Sequence, residues 1–180
     1  MNKQECETLK KDMLRHVFFG FCFILAFSTS ATGQKSLEEQ KECAEQLFRS
    51  VYGGQPEKID NLISDDMVSS YPIFEELFNT KTIRGRNAYI EFAKGFSERW
   101  IGARITIHEA IADRNRVVLI WSFCAKRAVE VDQQDLTSGQ VYSWGGITLF
   151  RFNESGRITA EIGEESSPGP YNRLEPESSE

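Results

Sequence analysis

The period of the hydrophobic pattern changes once along the chain, at Gly102, and this change constrains the fold most. Before Gly102 apolar residues recur every three or four positions, which is typical of amphipathic helices. After Gly102 they alternate with polar residues, which is typical of half-buried strands. Helices followed by a run of strands predict an α+β domain, in which helices cover one face of an antiparallel sheet.

The part before Gly102 predicts three helices, at about residues 36–52, 56–66 and 88–100, with a short extended piece broken by Pro72. The part after it predicts four strands. Strands this long must curl in a small domain, and we expect the bend at Gly145-Gly146. Helices across the concave side of a curled sheet leave a cone with a central pocket for a small molecule. The strands are expected at residues 104–112, 117–131, 140–152 and 157–164.

Charge and length exclude several classes of protein. The chain has 180 residues, enough for one core, with 21 basic and 27 acidic residues and a formal net charge of −6. An acidic chain without a lysine or arginine cluster argues against nucleic acid or an anionic membrane surface as a partner.

The N-terminal region predicts export. An uncharged apolar run of eleven residues at 17–27 is followed by small and polar residues at 28–33. A bilayer-spanning helix needs roughly 20 residues, so this pattern favours a secretory signal peptide over 1–33, with Met13 as an alternative start. The expected location is secreted or periplasmic. An N-terminal membrane anchor is the alternative.

Two cysteines and one glycosylation sequon lie in the part of the chain that remains after removal of the predicted signal peptide. Cys43 and Cys124 remain after the signal region, and they either pair or stay as separate buried thiols, which their apolar surroundings favour. Asn153 opens an Asn-Glu-Ser sequon in an expected turn, which matters in a eukaryotic host.

Chemistry with a metal, a cofactor or a serine nucleophile is not predicted. The region after residue 33 has a single histidine, His108, and lacks H-E-x-x-H, C-x-x-C, G-x-S-x-G and any phosphate loop. Catalysis, if present, would be cofactor-free acid–base chemistry.

Glu109 is the first candidate for that chemistry. Strand alternation places it on the face of Ile105, Ile107 and Ile111. A carboxylate among apolar residues has a raised pKa and can serve as a general acid or base. The alternative is an ion pair at a sheet edge or a dimer interface.

Four segments resemble the SnoaL-like branch of the nuclear transport factor 2-like superfamily. They are LISDDMVSSYP (62–72), IRGRNAYIEFAKGF (83–96), IHEAIADRNRVVLIW (107–121) and WGGITLFRFNESGRITAEI (144–162). The resemblance implies a cone-shaped domain over residues 34–165. It also implies a homodimer through the outer sheet face. The residues after the domain, 166–180, are rich in serine, proline and glutamate and are expected to form a flexible acidic tail.

The resemblance suggests further site residues. Glu161 stands where cyclases of this branch tend to have histidine, and it could share a pocket with Glu109 as an acid–base pair. Tyr71 would lie at the pocket mouth and could hydrogen-bond a developing oxyanion. The alternatives are a solvated strand residue and a half-buried aromatic, respectively.

Aromatic residues supply either a pocket lining or the core. Trp121, Trp144 and Phe123 are the candidates for substrate binding. Glu164 and Glu165 are interpreted as acidic surface before the tail.

The sequence thus predicts an exported protein that binds a small apolar or aromatic molecule. Members of the branch that it resembles include isomerases, dehydratases and cyclases. The alternative is a non-catalytic binding or dimerisation module on the same fold.

Overall fold

Three helices and a six-stranded sheet build the domain in the computed structural model of the chain, which describes residues 35–128 and 139–173. The predicted α+β class is confirmed. The predicted signal region lies outside the described residues. The helices are α1 (Leu37–Tyr52), α2 (Ile73–Phe78) and α3 (Arg86–Arg99), and the strands are β1 (Ile63–Ser70), β2 (Ile83–Arg84), β3 (Trp100–Asp113), β4 (Arg116–Arg127), β5 (Val141–Phe152) and β6 (Ile158–Ser166).

The sheet is mixed, with the strand order β2-β1-β6-β5-β4-β3. Strands β3 to β6 form the predicted antiparallel meander. The expectation of a wholly antiparallel sheet is wrong at one pair, because β1 runs parallel to β6, with Val68 opposite Ala160. Parallel neighbours need a long crossover, and here helix α3 and the meander provide it.

Helix α1 forms where the pattern predicts it. Its start is a capping box: the Ser36 hydroxyl accepts a hydrogen bond from the Glu39 backbone N–H at 3.2 Å, and the Ser36 N–H donates to the Glu39 carboxylate at 2.8 Å. Its buried face includes Leu47, Phe48 and Val51. That face packs into the core shared with the sheet.

The predicted second helix is wrong. Only Pro56–Lys58 form a short 3₁₀ helix, and Ile63–Ser70 are strand β1. Ile59 and Ile63 are both buried, as the helical pattern required, but short apolar runs fit either element. Backbone pairing of this segment with β6 and β2 makes it a strand.

The predicted placement of Glu109 is also wrong, because β3 contains a bulge. Ile107 pairs with Trp121 and Glu109 pairs with Ile120, so His108 is an extra residue that shifts the register. The alternation therefore inverts after His108. Glu109 becomes exposed on the outer face of the sheet instead of following Ile107 inward.

Glycines let other groups approach the sheet. At Gly145 and Gly146 the β4–β5 register continues without a shift, so no irregularity marks the bend expected there. A Cβ on Gly146 would lie 2.6 Å from Trp121 Cζ2. Gly163 in β6 lies under Tyr71, and a Cβ there would overlap its ring. Glycine at these two positions therefore leaves room for the aromatic rings that pack against the strands.

The chain after β6 folds back over the sheet instead of fraying from residue 166 as expected. Gly169 is buried against Gly145, and the Ser167 hydroxyl donates to the Ser143 carbonyl at 3.1 Å. The Tyr171 ring stacks on His108 at 3.8 Å between centroids. The part of the predicted tail at 174–180 lies outside the described residues.

The cysteines and the sequon occupy separate places. Cys43 is a buried free thiol in α1, and Cys124 is a free thiol on β4 within reach of Arg104. Asn153 lies in the β5–β6 turn, where its side-chain oxygen accepts from the Arg157 N–H at 2.9 Å.

None of the helices in residues 35–128 and 139–173 has the length and hydropathy needed to traverse a bilayer.

Candidate functional site

A cavity of about 270 Å³ opens between the helices and the concave side of the sheet. This is close to the lower end of the range for small-molecule sites, roughly 300–1,000 Å³. Aromatic side chains form most of its wall. They include Tyr52, Tyr71, Phe74, Phe92, Phe96 and Trp144.

Beneath two of these rings lies the carboxylate of Glu161, which is completely buried in β6. One carboxylate oxygen, Oε1, accepts from the hydroxyls of Tyr52 at 3.1 Å and Tyr71 at 3.0 Å. The other, Oε2, accepts from Ser69 at 3.0 Å and Tyr89 at 2.7 Å. We call these five residues the Glu161 cluster.

The Glu161 cluster joins two helices, one strand and one connection to β6. Tyr52 ends α1, Ser69 belongs to β1, Tyr71 follows β1 and Tyr89 lies in α3. Burial raises the pKa of Glu161, and the four hydroxyl bonds counteract part of that rise. A buried carboxylate is tolerated only when such donors satisfy it.

The tyrosines of the cluster stay protonated at neutral pH. Burial, and then the negative charge of Glu161, raise the pKa of Tyr52, Tyr71 and Tyr89 well above the ordinary value of a phenol. Each hydroxyl is therefore a lasting donor to the carboxylate.

Tyr71 links the cluster to a second hydrogen-bonded pair. Its hydroxyl also contacts the Thr148 hydroxyl at 3.0 Å, and the Trp121 indole N–H donates to Thr148 at 2.9 Å. A continuous chain thus runs from Trp121 through Thr148 and Tyr71 to Glu161. The hydroxyl of Tyr71 is directed at this chain, while its ring borders the cavity.

Glu165 is the carboxyl group that lines the cavity. It follows Glu161 and Gly163 at two-residue steps along β6, so all three share the inner face. The pKa of Glu165 is raised to about 7, mainly by burial; a hydrogen bond from Trp144 opposes this rise, and the nearby charges of Glu161 and Glu164 add to it. The interpretation of Glu165 as acidic surface is wrong, and strand alternation counted from Glu161 could have identified it as a residue of the inner face.

The other predicted site residues divide between cavity, core and surface. Trp144 lines the cavity. Trp121 and Phe123 are buried in the core with exposed fractions of 3% and 1% and do not line this cavity. Glu109 lies on the outer face, so the expected pair of Glu109 and Glu161 is not brought together.

Two arginines border the cavity and were not singled out from the sequence. Arg99 ends α3, and its guanidinium lies 5.6 Å from the Phe78 ring centroid. Arg127 ends β4 and stacks over Trp100 at 4.9 Å. Among residues 35–128 and 139–173, no group of three or more histidine, cysteine, aspartate or glutamate side chains is placed to hold a metal ion.

Solved structures share this architecture at low sequence identity. TsrD from Streptomyces laurentii superposes with a TM-score of 0.61 at 15% identity, covering 78% of this chain and 98% of its own. An LEH-like epoxide hydrolase from M. tuberculosis gives 0.56 at 16%, covering 77% and 90%. The epoxide hydrolase/cyclase-like enzyme SalBIII, described in pyran ring formation in salinomycin, gives 0.55 at 13%, covering 72% and 92%. These likenesses show the fold alone.

The SnoaL-like domain family matches residues 44–161, which is more than half of the chain. The chain therefore belongs to the SnoaL-like family, and the resemblance found in the sequence is confirmed. No curated protein matches the sequence significantly.

The raised pKa of Glu165 predicts a distinctive pH dependence of stability. Between its ordinary value of 4.5 and about 7, the folded state holds a proton that the unfolded state has lost, so stability falls as pH rises through this window. Glu165→Gln removes that loss. We expect the variant to exceed the wild type at about pH 8 by up to about 3 kcal/mol, with the difference vanishing below about pH 4.

Urea unfolding across this pH range is the measurement. Glu154→Gln removes the same charge from an exposed position in the β5–β6 turn and is the matched control. Parallel curves for Glu165→Gln and wild type would contradict the placement of Glu165 in an apolar cavity.

Proposed function

We propose that this SnoaL-like protein binds a small, largely apolar or aromatic molecule in the cavity and exchanges a proton with it through Glu165, without a cofactor. The observation that carries the proposal is a carboxyl group with a pKa of about 7 in a wall otherwise formed mainly by aromatic rings. Acid–base catalysis is most efficient when the pKa lies near the working pH.

The chemistry follows from the position of this one group. The Glu165 carboxylate takes a proton from an acidic C–H or O–H bond of the bound molecule. Returning that proton to another carbon is an isomerisation, and transferring it to a departing hydroxyl is a dehydration that releases water. A carbanion or alkoxide formed in the first step can instead attack an internal carbonyl or epoxide carbon and close a ring. A C–O π or σ bond of that group then breaks, and its oxygen takes the proton back from Glu165.

The Glu161 cluster acts behind the wall of the cavity. Tyr52 and Tyr71 separate Glu161 from the space that a ligand would occupy, since both rings line the cavity and both hydroxyls bond the carboxylate. Glu161 is therefore a positioning residue that holds the rings. Its negative charge also keeps the pKa of Glu165 high.

A non-catalytic binding module is the second candidate, and one observation favours it. The Tyr71 hydroxyl is already engaged by Glu161 and Thr148, so it is not oriented toward a developing oxyanion in the cavity. The enzyme class has support by analogy of fold, because the structural neighbours include an epoxide hydrolase and a cyclase-like enzyme.

General-base activity can be tested without knowing the natural ligand. 5-Nitrobenzisoxazole is a small aromatic molecule that opens when a base removes its ring C–H proton, which breaks the N–O bond and releases a coloured cyanophenolate. We expect the wild type to accelerate this opening, with a rate that rises with pH to a plateau above an apparent pKa of about 7. Glu165→Gln should lower the plateau rate about 100-fold, the lower end of what a positioned base contributes.

The control is Glu154→Gln, which removes the same charge from the exposed β5–β6 turn, away from the cavity, and should keep the wild-type profile. Equal rates for wild type and Glu165→Gln at every pH would exclude the acid–base proposal. Binding of the aromatic probe without turnover would then favour the binding module.

The outer face of the sheet supports a homodimer as part of the proposed function. Three neighbouring rows of outward residues cross the four meander strands, as the register shows. The middle row is wholly apolar, and one flanking row carries acidic ends while the other carries two arginines and one aspartate. In order the rows are Glu109, Ile120, Ile147, Glu164; Ile111, Val118, Leu149, Ile162; and Asp113, Arg116, Arg151, Ala160.

A two-fold axis along the apolar row would pack that row on its own copy and place each acidic row over the row of the partner that contains Arg116 and Arg151. Ile111 and Ile162 are 54% and 43% exposed in the single chain, and this packing would bury both. In this arrangement Glu109 would lie opposite Asp113 of the facing row, with Arg116 on the adjacent strand.

We expect the wild type to sediment as a dimer at micromolar concentration and Ile162→Glu to sediment as a monomer with its fold retained. Ile101→Glu is the matched control, since Ile101 is 60% exposed on β3 beyond the three rows and should leave the dimer intact. A monomeric wild type would contradict the proposed interface.

Export remains part of the proposal, supported by the apolar run at 17–27 and the small residues after it. Expression of the full chain in its host followed by N-terminal sequencing is the test. We expect a mature N-terminus near residue 34 in the extracellular or periplasmic fraction. An intact N-terminus in the cytosol would exclude export.

A further inference from the structure

Arg99 carries a buried donor that nothing in the described part of the chain accepts. Its Nε is inaccessible to solvent and has no hydrogen-bond partner among residues 35–128 and 139–173. No carboxylate of those residues lies within ion-pair distance of it. Burying a guanidinium N–H without an acceptor is costly, so an unmatched donor at a cavity wall indicates a missing acceptor.

A second cation stands beside Arg99. The backbone N–H of Ala128 donates to the Arg99 carbonyl at 2.9 Å, and Trp100 pairs with Arg127 across β3 and β4. Both arginines also line the cavity. Burial lowers the pKa of Arg99, and the positive charge of Arg127 lowers it further.

Aromatic rings lie against both guanidinium groups. Arg99 lies over the rings of Phe78 and Phe96 at 5.6 and 5.9 Å, and Arg127 lies over Trp100 at 4.9 Å. The rings hold the guanidinium planes in place, but they do not supply an acceptor for Arg99 Nε.

The acidic group of the cavity belongs to a different part of the wall. Glu165 pairs with Gly146 in β5, whereas the Arg127 N–H donates to the carbonyl of Gln140, six residues earlier in the chain. The cavity therefore has an acidic end at Glu165 and a cationic end at the two arginines, with aromatic rings between them.

From this geometry we infer that the molecule bound in the cavity is an amphiphilic acid, whose aromatic or apolar body lies between the rings and whose carboxylate is held by Arg99 beside Arg127. The inference rests on the proposed function and specifies its ligand class. A carboxylate matches the planar donors of a guanidinium and can accept from Nε and one terminal nitrogen at once.

The orientation of the ligand follows. With its carboxylate at the arginines, the far end of the body lies toward Glu165 and Trp144. The proton that Glu165 takes would then come from a carbon or hydroxyl remote from the acid group. This arrangement also keeps two negative charges apart at opposite ends of the cavity.

Calorimetric titration of the full chain with three matched naphthalenes tests the inference. The probes are 1-naphthoate, 1-naphthamide and 1-naphthylmethylammonium, which share a ring body and differ in the charge of the headgroup. At about pH 6 we expect naphthoate to bind at least about tenfold more tightly than the amide, the ratio that one charge-assisted hydrogen bond supplies. The ammonium probe should bind most weakly.

Substitutions locate the preference. Arg99→Met should bring the affinity for naphthoate down to that for the amide and leave amide binding unchanged. Arg99→Lys keeps the charge without the planar fork and should retain part of the preference, which covers the case of a poorly folded methionine variant. Arg157→Met removes an exposed arginine near the β5–β6 turn and should change nothing.

The outcomes separate the two claims. Equal binding of naphthoate and naphthamide to the wild type would overturn the acid ligand while supporting an aromatic binding cavity. An undiminished preference in folded Arg99→Met or Arg99→Lys would also overturn it. Failure of all three probes to bind would contradict both this inference and the binding function on which it rests.

Discussion

The burial of one carboxylate organises the inner side of this domain. Glu161 has lost all contact with solvent, and its ordinary hydration is replaced by four hydroxyl groups. Because a buried charge without donors costs several kcal/mol, the four donors must all be brought to one point. They come from two helices, one strand and one connection, so satisfying this carboxylate fixes how those elements sit around β6.

The shape of the cavity depends on how these donors are placed around Glu161. Tyr52 and Tyr71 direct their hydroxyls at Glu161 and leave their rings as the cavity wall, while Gly163 gives the Tyr71 ring room on β6. Two residues further along the same strand, Glu165 faces a wall made rigid by the cluster. A reactive group mounted on a strand and backed by a locked hydrogen-bond network is held with the precision that acid–base chemistry needs.

Elements whose residues follow a regular hydrophobic period could be predicted from the sequence. Predictions failed where one inserted residue or a pairing partner distant in the chain determines the structure. The change of period at Gly102, helix α1 and the four meander strands follow from local pattern. Glu109 was misplaced because a bulge at His108 inverts the alternation, and no local signal marks that bulge. The first half of strand β1 was taken for the end of a helix because its pairing partner β6 lies some ninety residues away, beyond any local pattern. Glu165 was overlooked although the alternation from Glu161 pointed to it, since its acidic neighbour and the following serines suggested surface.

The parallel pairing of β1 with β6 makes the domain dependent on its last strand during synthesis. Helices α1 and α3 and the hairpin of β3 and β4 can form while the chain is still emerging from the ribosome, but β1 has no complete partner until residues 158–166 are released. Contacts so distant in sequence are closed late, after a large loss of chain entropy. The three tyrosines that donate to Glu161 therefore lack their acceptor until β6 is released. A ribosome-bound chain without β6 exposes an aromatic-rich inner surface of the kind that chaperones recognise.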